Sequence, residues 1–100
     1  MQRLILLVFL ALAACGAQPS PQMFGATRSD VSRGGHDYVI FQKDTRVEII
    51  RLGWASPGGH QGIRATMIEL IPEVTGCILR ESSLTGDSGA MRGTVRCPKP

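Results

Sequence analysis

Apolar residues change their spacing several times along the 100-residue chain, and each spacing predicts a different element. Leu4 to Ala14 is an unbroken apolar run behind Arg3. Its length suits the hydrophobic region of an export signal, about 7–15 residues, and falls short of the roughly 20 that cross a bilayer. Gly16 to Arg33 has few apolar residues, and Pro19 and Pro21 exclude regular helix or sheet around them, so this stretch reads as a flexible tether. Tyr38-Val39-Ile40-Phe41 is a β-branched and aromatic run, the composition of a mostly buried strand. After the polar break Gln42 to Thr45, Arg46-Val47-Glu48-Ile49 alternates strictly and puts Val47 and Ile49 on one face of a second strand. At Ile49-Ile50 the phase slips to Ile50, Leu52 and Trp54, which predicts a bulge.

The period lengthens beyond Ser56-Pro57-Gly58-Gly59. Ile63, Met67, Leu70, Ile71 and Val74 form the stripe of an amphipathic helix, with Ser56 as its cap and Pro57 in its first turn. Pro72 removes the amide that would bond to Ile68, so a kink or break is expected near Ile71. Thr75-Gly76 ends the helix. Cys77-Ile78-Leu79-Arg80 opens a third strand, and Ser82 to Gly89 is a polar loop. Met91, Gly93, Val95 and Cys97 alternate with Arg92, Thr94 and Arg96 in a fourth strand. The expected fold is α+β in the order β-β-α-β-β, one helix laid across a small antiparallel four-stranded sheet. The chain divides into a signal peptide (1–14), a modified cysteine with its tether (15–35) and a small domain (36–100).

Leu12-Ala13-Ala14-Cys15 resembles the lipobox of bacterial lipoproteins: a branched apolar residue, two small residues, then cysteine. The resemblance covers those four positions. It implies a diacylglyceryl thioether on Cys15, cleavage before it and N-acylation. One acyl chain holds a protein only marginally, so stable anchoring takes more than one. Gly16, rather than Asp, follows the cysteine; by resemblance to enterobacterial sorting this permits transfer to the outer membrane, facing the periplasm. The alternative is ordinary secretory cleavage, because Ala11-Leu12-Ala13 also fits an A-x-A site and would release a soluble protein beginning at Ala14. That leaves Cys15 as a reactive thiol in an oxidising compartment, which favours the lipoprotein reading.

The remaining body is shorter than the roughly 70–80 residues at which a hydrophobic core is usually sufficient by itself. Small exported domains compensate with disulfides. With Cys15 consumed, Cys77 and Cys97 have one possible connectivity, and closing a loop of about 20 residues contributes roughly 3 kcal/mol in the chain-entropy model. Setting Cys77 opposite Cys97 also sets Leu79 opposite Val95, so cross-link and register agree.

The formal charge is +3, and no basic block marks a nucleic-acid footprint. Nine of the eleven basic residues are arginine, which grips lipid headgroups or phosphorylated glycans bidentately. A solvated mixed-charge surface accounts for the same composition.

Gly86-Asp87-Ser88-Gly89 resembles the segment around the nucleophile of chymotrypsin-like proteases, over those four residues alone. Such a serine needs a histidine base, a group that orients it and an oxyanion hole, and this body is too small for that family's double barrel. A Gly/Asp/Ser hairpin loop explains the same residues. Gly58-Gly59-His60-Gln61-Gly62 precedes a helix but lacks the Lys-Ser/Thr pair of a phosphate loop, and its glycines read as a strand-to-helix turn. His36 and His60 are too few and too far apart for zinc, so neither a metal nor another cofactor is expected. Trp54 is either a partner-facing anchor or a cap on the core, and His60 is the second candidate for partner contact. The leading expectation is a lipid-anchored envelope protein that acts as a binding or accessory module, with an envelope protein as its partner. The alternatives are an envelope hydrolase using Ser88 or His60, and a structural surface-coating lipoprotein.

Overall fold

Gly34 and Gly35 both adopt positive φ (63° and 82°) and close a two-residue hairpin between Thr27–Arg33 (β1) and His36–Lys43 (β2). Such turns match the right-handed twist of the strands they join. The structure, a computed structural model, describes residues 21–98. The expected signal peptide, the lipobox-like segment with Cys15 and the first part of the stretch read as tether lie outside the described residues. After β2 come Arg46–Leu52 (β3), the helix His60–Thr75 (α1), Ile78–Gly86 (β4) and Ala90–Arg96 (β5). Short 3-10 turns at Pro21–Met23 and Pro57–Gly59 precede β1 and α1.

The strands form one antiparallel sheet in the order β1-β2-β3-β5-β4. The α+β class and, among the described residues, the single α-helix agree with the sequence reading, but the sheet has five strands, not four. The extra strand is β1, which falls in the stretch read as tether. It is an edge strand of polar composition, and of its residues Val31 packs against the main core. Its support is the backbone ladder with β2, which runs in unbroken register from Thr27↔Gln42 to Arg33↔His36. The opposite edge is also longer than expected. β4 continues to Gly86 through residues read as loop, and its register with β5 shifts between Arg80 and Thr85.

The helix covers one face of the sheet. Ile63, Met67, Leu70 and Ile71 meet Tyr38, Ile40, Val47, Ile49, Met91 and Val95 in the main core, with Val74 partly buried beside them. Sixteen residues at 1.5 Å rise give the helix a length of about 24 Å. Pro72 lies inside the helix, which continues past it to Thr75 without a break. Its place in the last turn limits the damage, since a single amide is lost there. Gly76 is left-handed and closes the end with an N–H···O bond of 2.9 Å to the Pro72 carbonyl.

No bulge forms at Ile49-Ile50, because β2 and β3 pair without a register shift from Asp37↔Leu52 to Lys43↔Arg46. The phase slip has another cause. Val39 and Phe41 on the far face of the sheet bury against Met23, with Ala26 and Ile50 at the margin, in a second small core. Ile50 therefore serves the second core while Ile49 serves the first. Met23 is 3% exposed, so the chain just before β1 is fastened across the far face, whereas neighbouring Phe24 is 61% exposed.

Cys77 and Cys97 form the expected disulfide, with Cα atoms 4.2 Å apart. Leu79 pairs with Val95 and Ile78 with Arg96, the register that the cross-link requires.

Candidate binding surface at the start of the helix

The connection from β3 to α1 is fixed at both ends and displays its middle. Ala55 is buried in the main core and Leu52 ends the β3 ladder, yet Trp54 between them is 80% exposed. Trp54 therefore does not cap the core. A tryptophan exposed to this degree on an anchored loop presents a large rigid apolar surface to solvent, the side-chain type that dominates protein interfaces. Ser56 is extended before Pro57, as residues preceding proline are. It makes no side-chain cap, and the 3-10 turn Pro57–Gly59 leads into His60.

His60 and Ser88, 28 positions apart, meet at this end of the helix, with Nδ1 2.5 Å from Oγ. Five other hydrogen bonds hold the Ser88 turn. The Arg51 guanidinium donates from Nη1 to the Ser88 carbonyl at 2.9 Å, and the Arg51 amide donates to the Gly89 carbonyl at 2.9 Å. The Asp87 amide donates to the Ala90 carbonyl at 3.0 Å. The Asp87 carboxylate accepts the amides of Gly89 (2.8 Å) and Ala90 (3.3 Å). Those amide hydrogen bonds hold its pKa below the ordinary aspartate value, and the charges of Arg51 and His60 add to the effect. Arg51 Nε is buried and has no hydrogen-bond partner among the described residues.

This geometry limits the chemistry available to Ser88. The acid of Gly-Asp-Ser-Gly is bonded to its own turn rather than to the imidazole of His60. Among the described residues no hydrogen bond orients the second ring nitrogen of His60, the role the third group of a triad fills. The contact thus works first as a latch tying α1 to the β4–β5 turn. Sequence reasoning named both residues but had no signal for their meeting, which follows from the crossover that places β5 beside β3.

His36 stands in β2 and packs edge-on against Tyr38, with ring centroids 6.4 Å apart, and lines a shallow depression with Gly59, Gly62 and Thr66 of the helix start. Among the described residues no group of three or more His, Cys, Asp or Glu side chains is placed to hold a metal ion. No helix among them is long and apolar enough to cross a membrane. Compared with known proteins, the chain matches no family model, no curated protein and no solved structure.

Proposed function

We propose that the protein is a small bacterial envelope lipoprotein, held at the membrane through Cys15, that acts as a binding or accessory module. Its most suitable location is the outer membrane, facing the periplasm. The observation that carries the binding reading is the exposure of Trp54 on a loop clamped by buried Ala55. A residue so placed meets a partner without reorganising the fold, so little entropy is lost on association. His60 opens α1 directly after this connection and supplies a polar group at the start of the helix. The leader pattern and the otherwise unpaired Cys15 support the anchor.

The test is isolation of the intact protein from native membranes after cross-linking. The expected result is an acylated N-terminus at Cys15 and one recurrent envelope protein as cross-linked partner. Trp54→Ala should lose that partner while remaining folded and anchored. A chain with unmodified Cys15 refutes the anchor, and partner capture unaffected by Trp54→Ala refutes this surface.

The His60–Ser88 contact favours a second reading, an envelope hydrolase in which His60 activates Ser88. Labelling of Ser88 by a fluorophosphonate, lost in His60→Ala, would establish that chemistry. A reagent that leaves Ser88 unmodified returns the contact to its structural role.

A further inference from the structure

The face of the sheet turned away from α1 is rich in arginine. Strict alternation places Glu48 opposite the helix-facing pair Val47 and Ile49, and pairing then carries the same face across the sheet. One row reads Arg28, Phe41, Glu48, Arg92, Thr85, and the next Lys43, Arg46, Thr94, Arg80; Ile78 and Arg96 follow. Six cations stand in these rows. The acids that the strand register places on this face are Glu48, Asp30 and Asp37, and each is engaged: Glu48 with Arg92 at 3.2 Å, Asp30 with Arg28 at 3.1 Å, and Asp37 with the Ser32 hydroxyl. Asp44 borders the face in the turn between Lys43 and Arg46, and Glu81 follows Arg80 where the β4 register shifts; neither forms an ion pair among the described residues. Arg46, Arg80 and Arg96 are exposed and form no ion pair among the described residues. On the helix side, by contrast, Arg33 is paired with Glu73 and Arg51 bonds the Ser88 turn.

Two further features belong to this face. A depression of about 360 Å³ is lined by Arg46, Arg92, Ser83, Thr85 and Thr94, with Glu48 and Met23 also in its wall. Glu48 is paired with Arg92 and the Ser83 hydroxyl donates to the Arg80 carbonyl, so Arg46, Thr85 and Thr94 supply the donors left for phosphate oxygens. Ile78 stands in the arginine rows and is 58% exposed, while Phe24, 61% exposed, extends from the segment fastened over this face by Met23. Exposed apolar groups bordering cations are the composition of a surface that meets a bilayer interface. Chain length adds a third argument, which rests on the anchor proposed at Cys15. Five residues separate Cys15 from Pro21, a reach of about 20 Å at most. The segment that leaves the lipid is the one that crosses this face.

We propose that the arginine-rich open face of the sheet docks on an anionic bilayer, taking phosphate-bearing lipid headgroups between Arg46, Arg80, Arg92 and Arg96. The helix side, with the His60–Ser88 latch, then faces the aqueous compartment.

The full-length protein purified from membranes is added to phosphatidylglycerol-rich vesicles or to phosphatidylcholine vesicles. Arginine modification by phenylglyoxal is then followed residue by residue by mass spectrometry. Each cation near an anionic surface contributes roughly fivefold to binding. Arg46, Arg80 and Arg96 should therefore react about fivefold more slowly on the anionic vesicles, with Arg64 on the helix unchanged. Protection should vanish at about 1 M salt, where the screening length is ~3 Å. Arg80→Gln with Arg96→Gln, both at exposed positions, should abolish the protection of Arg46 on anionic vesicles at unchanged thermal stability, while the acylated chain stays vesicle-bound. Equal protection on both vesicle types, equal protection of Arg64, or no protection overturns the proposal. Protection in native membranes that is absent from lipid vesicles also overturns it and assigns the face to a protein partner. The same spectra report the mass of the N-terminus, so failure of the anchor is read separately from failure of the face.

Discussion

Gly86 sits so close to Ala90 that a Cβ built on it would lie 2.2 Å from the Ala90 carbonyl oxygen. Its φ of 102° is also one that side-chain-bearing residues rarely adopt. The β4–β5 turn that carries Ser88 is therefore possible because residue 86 lacks a side chain. Gly86→Ala should destabilise the domain by about 1–3 kcal/mol, the range for backbone strain at a special position, measured by urea unfolding. The same variant should separate Ser88 from His60, seen as a changed His60 imidazole resonance in NMR spectra. An unchanged unfolding midpoint would show that the turn accommodates the methyl.

The Cys77–Cys97 cross-link joins β4, an edge strand, to the end of β5. β4 has few other attachments, since it pairs with β5 alone and its register is interrupted after Arg80. Replacing both cysteines by alanine should cost about 3 kcal/mol, the entropy of an unconstrained loop of this length. Hydrogen exchange should accelerate first in Ile78–Arg80, where β4 is stapled. If both variant and reduced protein unfold at the midpoint of the native form, the bridge does not constrain the unfolded chain as argued.

The strands that the hydrophobic pattern revealed are the central ones, and those it missed are the edges. Tyr38 to Phe41 and Val47 to Ile49 bury side chains on both faces, which forces an apolar run or a strict alternation into the sequence. Thr27–Arg33 and the outer half of β4 are held by backbone hydrogen bonds on one side and need few apolar residues. That is why Thr-Arg-Ser-Asp-Val-Ser-Arg read as tether. The signal that could have revealed β1 was Gly34-Gly35, a two-residue turn directly before a strongly apolar strand. At the site, sequence singled out Trp54, His60 and Ser88 separately. The latch between the last two depends on strand order, which no local pattern records.

Arg33 and Glu73 join β1 to the helix through two hydrogen bonds, Nη1–Oε2 at 2.8 Å and Nη2–Oε1 at 2.6 Å. The hydrogen bonds and charge of Arg33 lower the Glu73 pKa below its ordinary value of 4.5, and Asp87 is lowered below 3.8 by its turn amides. A depressed folded pKa means that the unfolded chain binds more protons, so stability rises with pH through this range. The contribution is complete above the ordinary values and is lost as pH falls through the depressed ones. Urea unfolding followed from about pH 6 to pH 3 should show this acid decline. Glu73→Gln should flatten part of it and Asp87→Asn another part. Because both carboxylates are exposed, salt should weaken the Glu73 component. An acid limb identical in wild type and Glu73→Gln would mean that the pair does not couple folding to protons.

Met23 fastens the segment preceding β1 onto the far face of the sheet, where it meets Val39 and Phe41. If that contact is part of the fold, the domain begins near Pro21 and not at the first central strand. Met23→Ala removes most of a buried side chain and should cost about 2–5 kcal/mol, the range for core truncation to alanine. Phe24→Ala, one residue along and mostly exposed, should change stability by no more than about 0.5 kcal/mol. The two variants differ in burial while sharing a neighbourhood, so their contrast isolates packing from any general effect of the segment. Limited proteolysis gives the second measurement: cleavage around Ala26 should be slow in wild type and fast in Met23→Ala. Equal stability of the two variants would mean that the segment lies on the sheet without holding it.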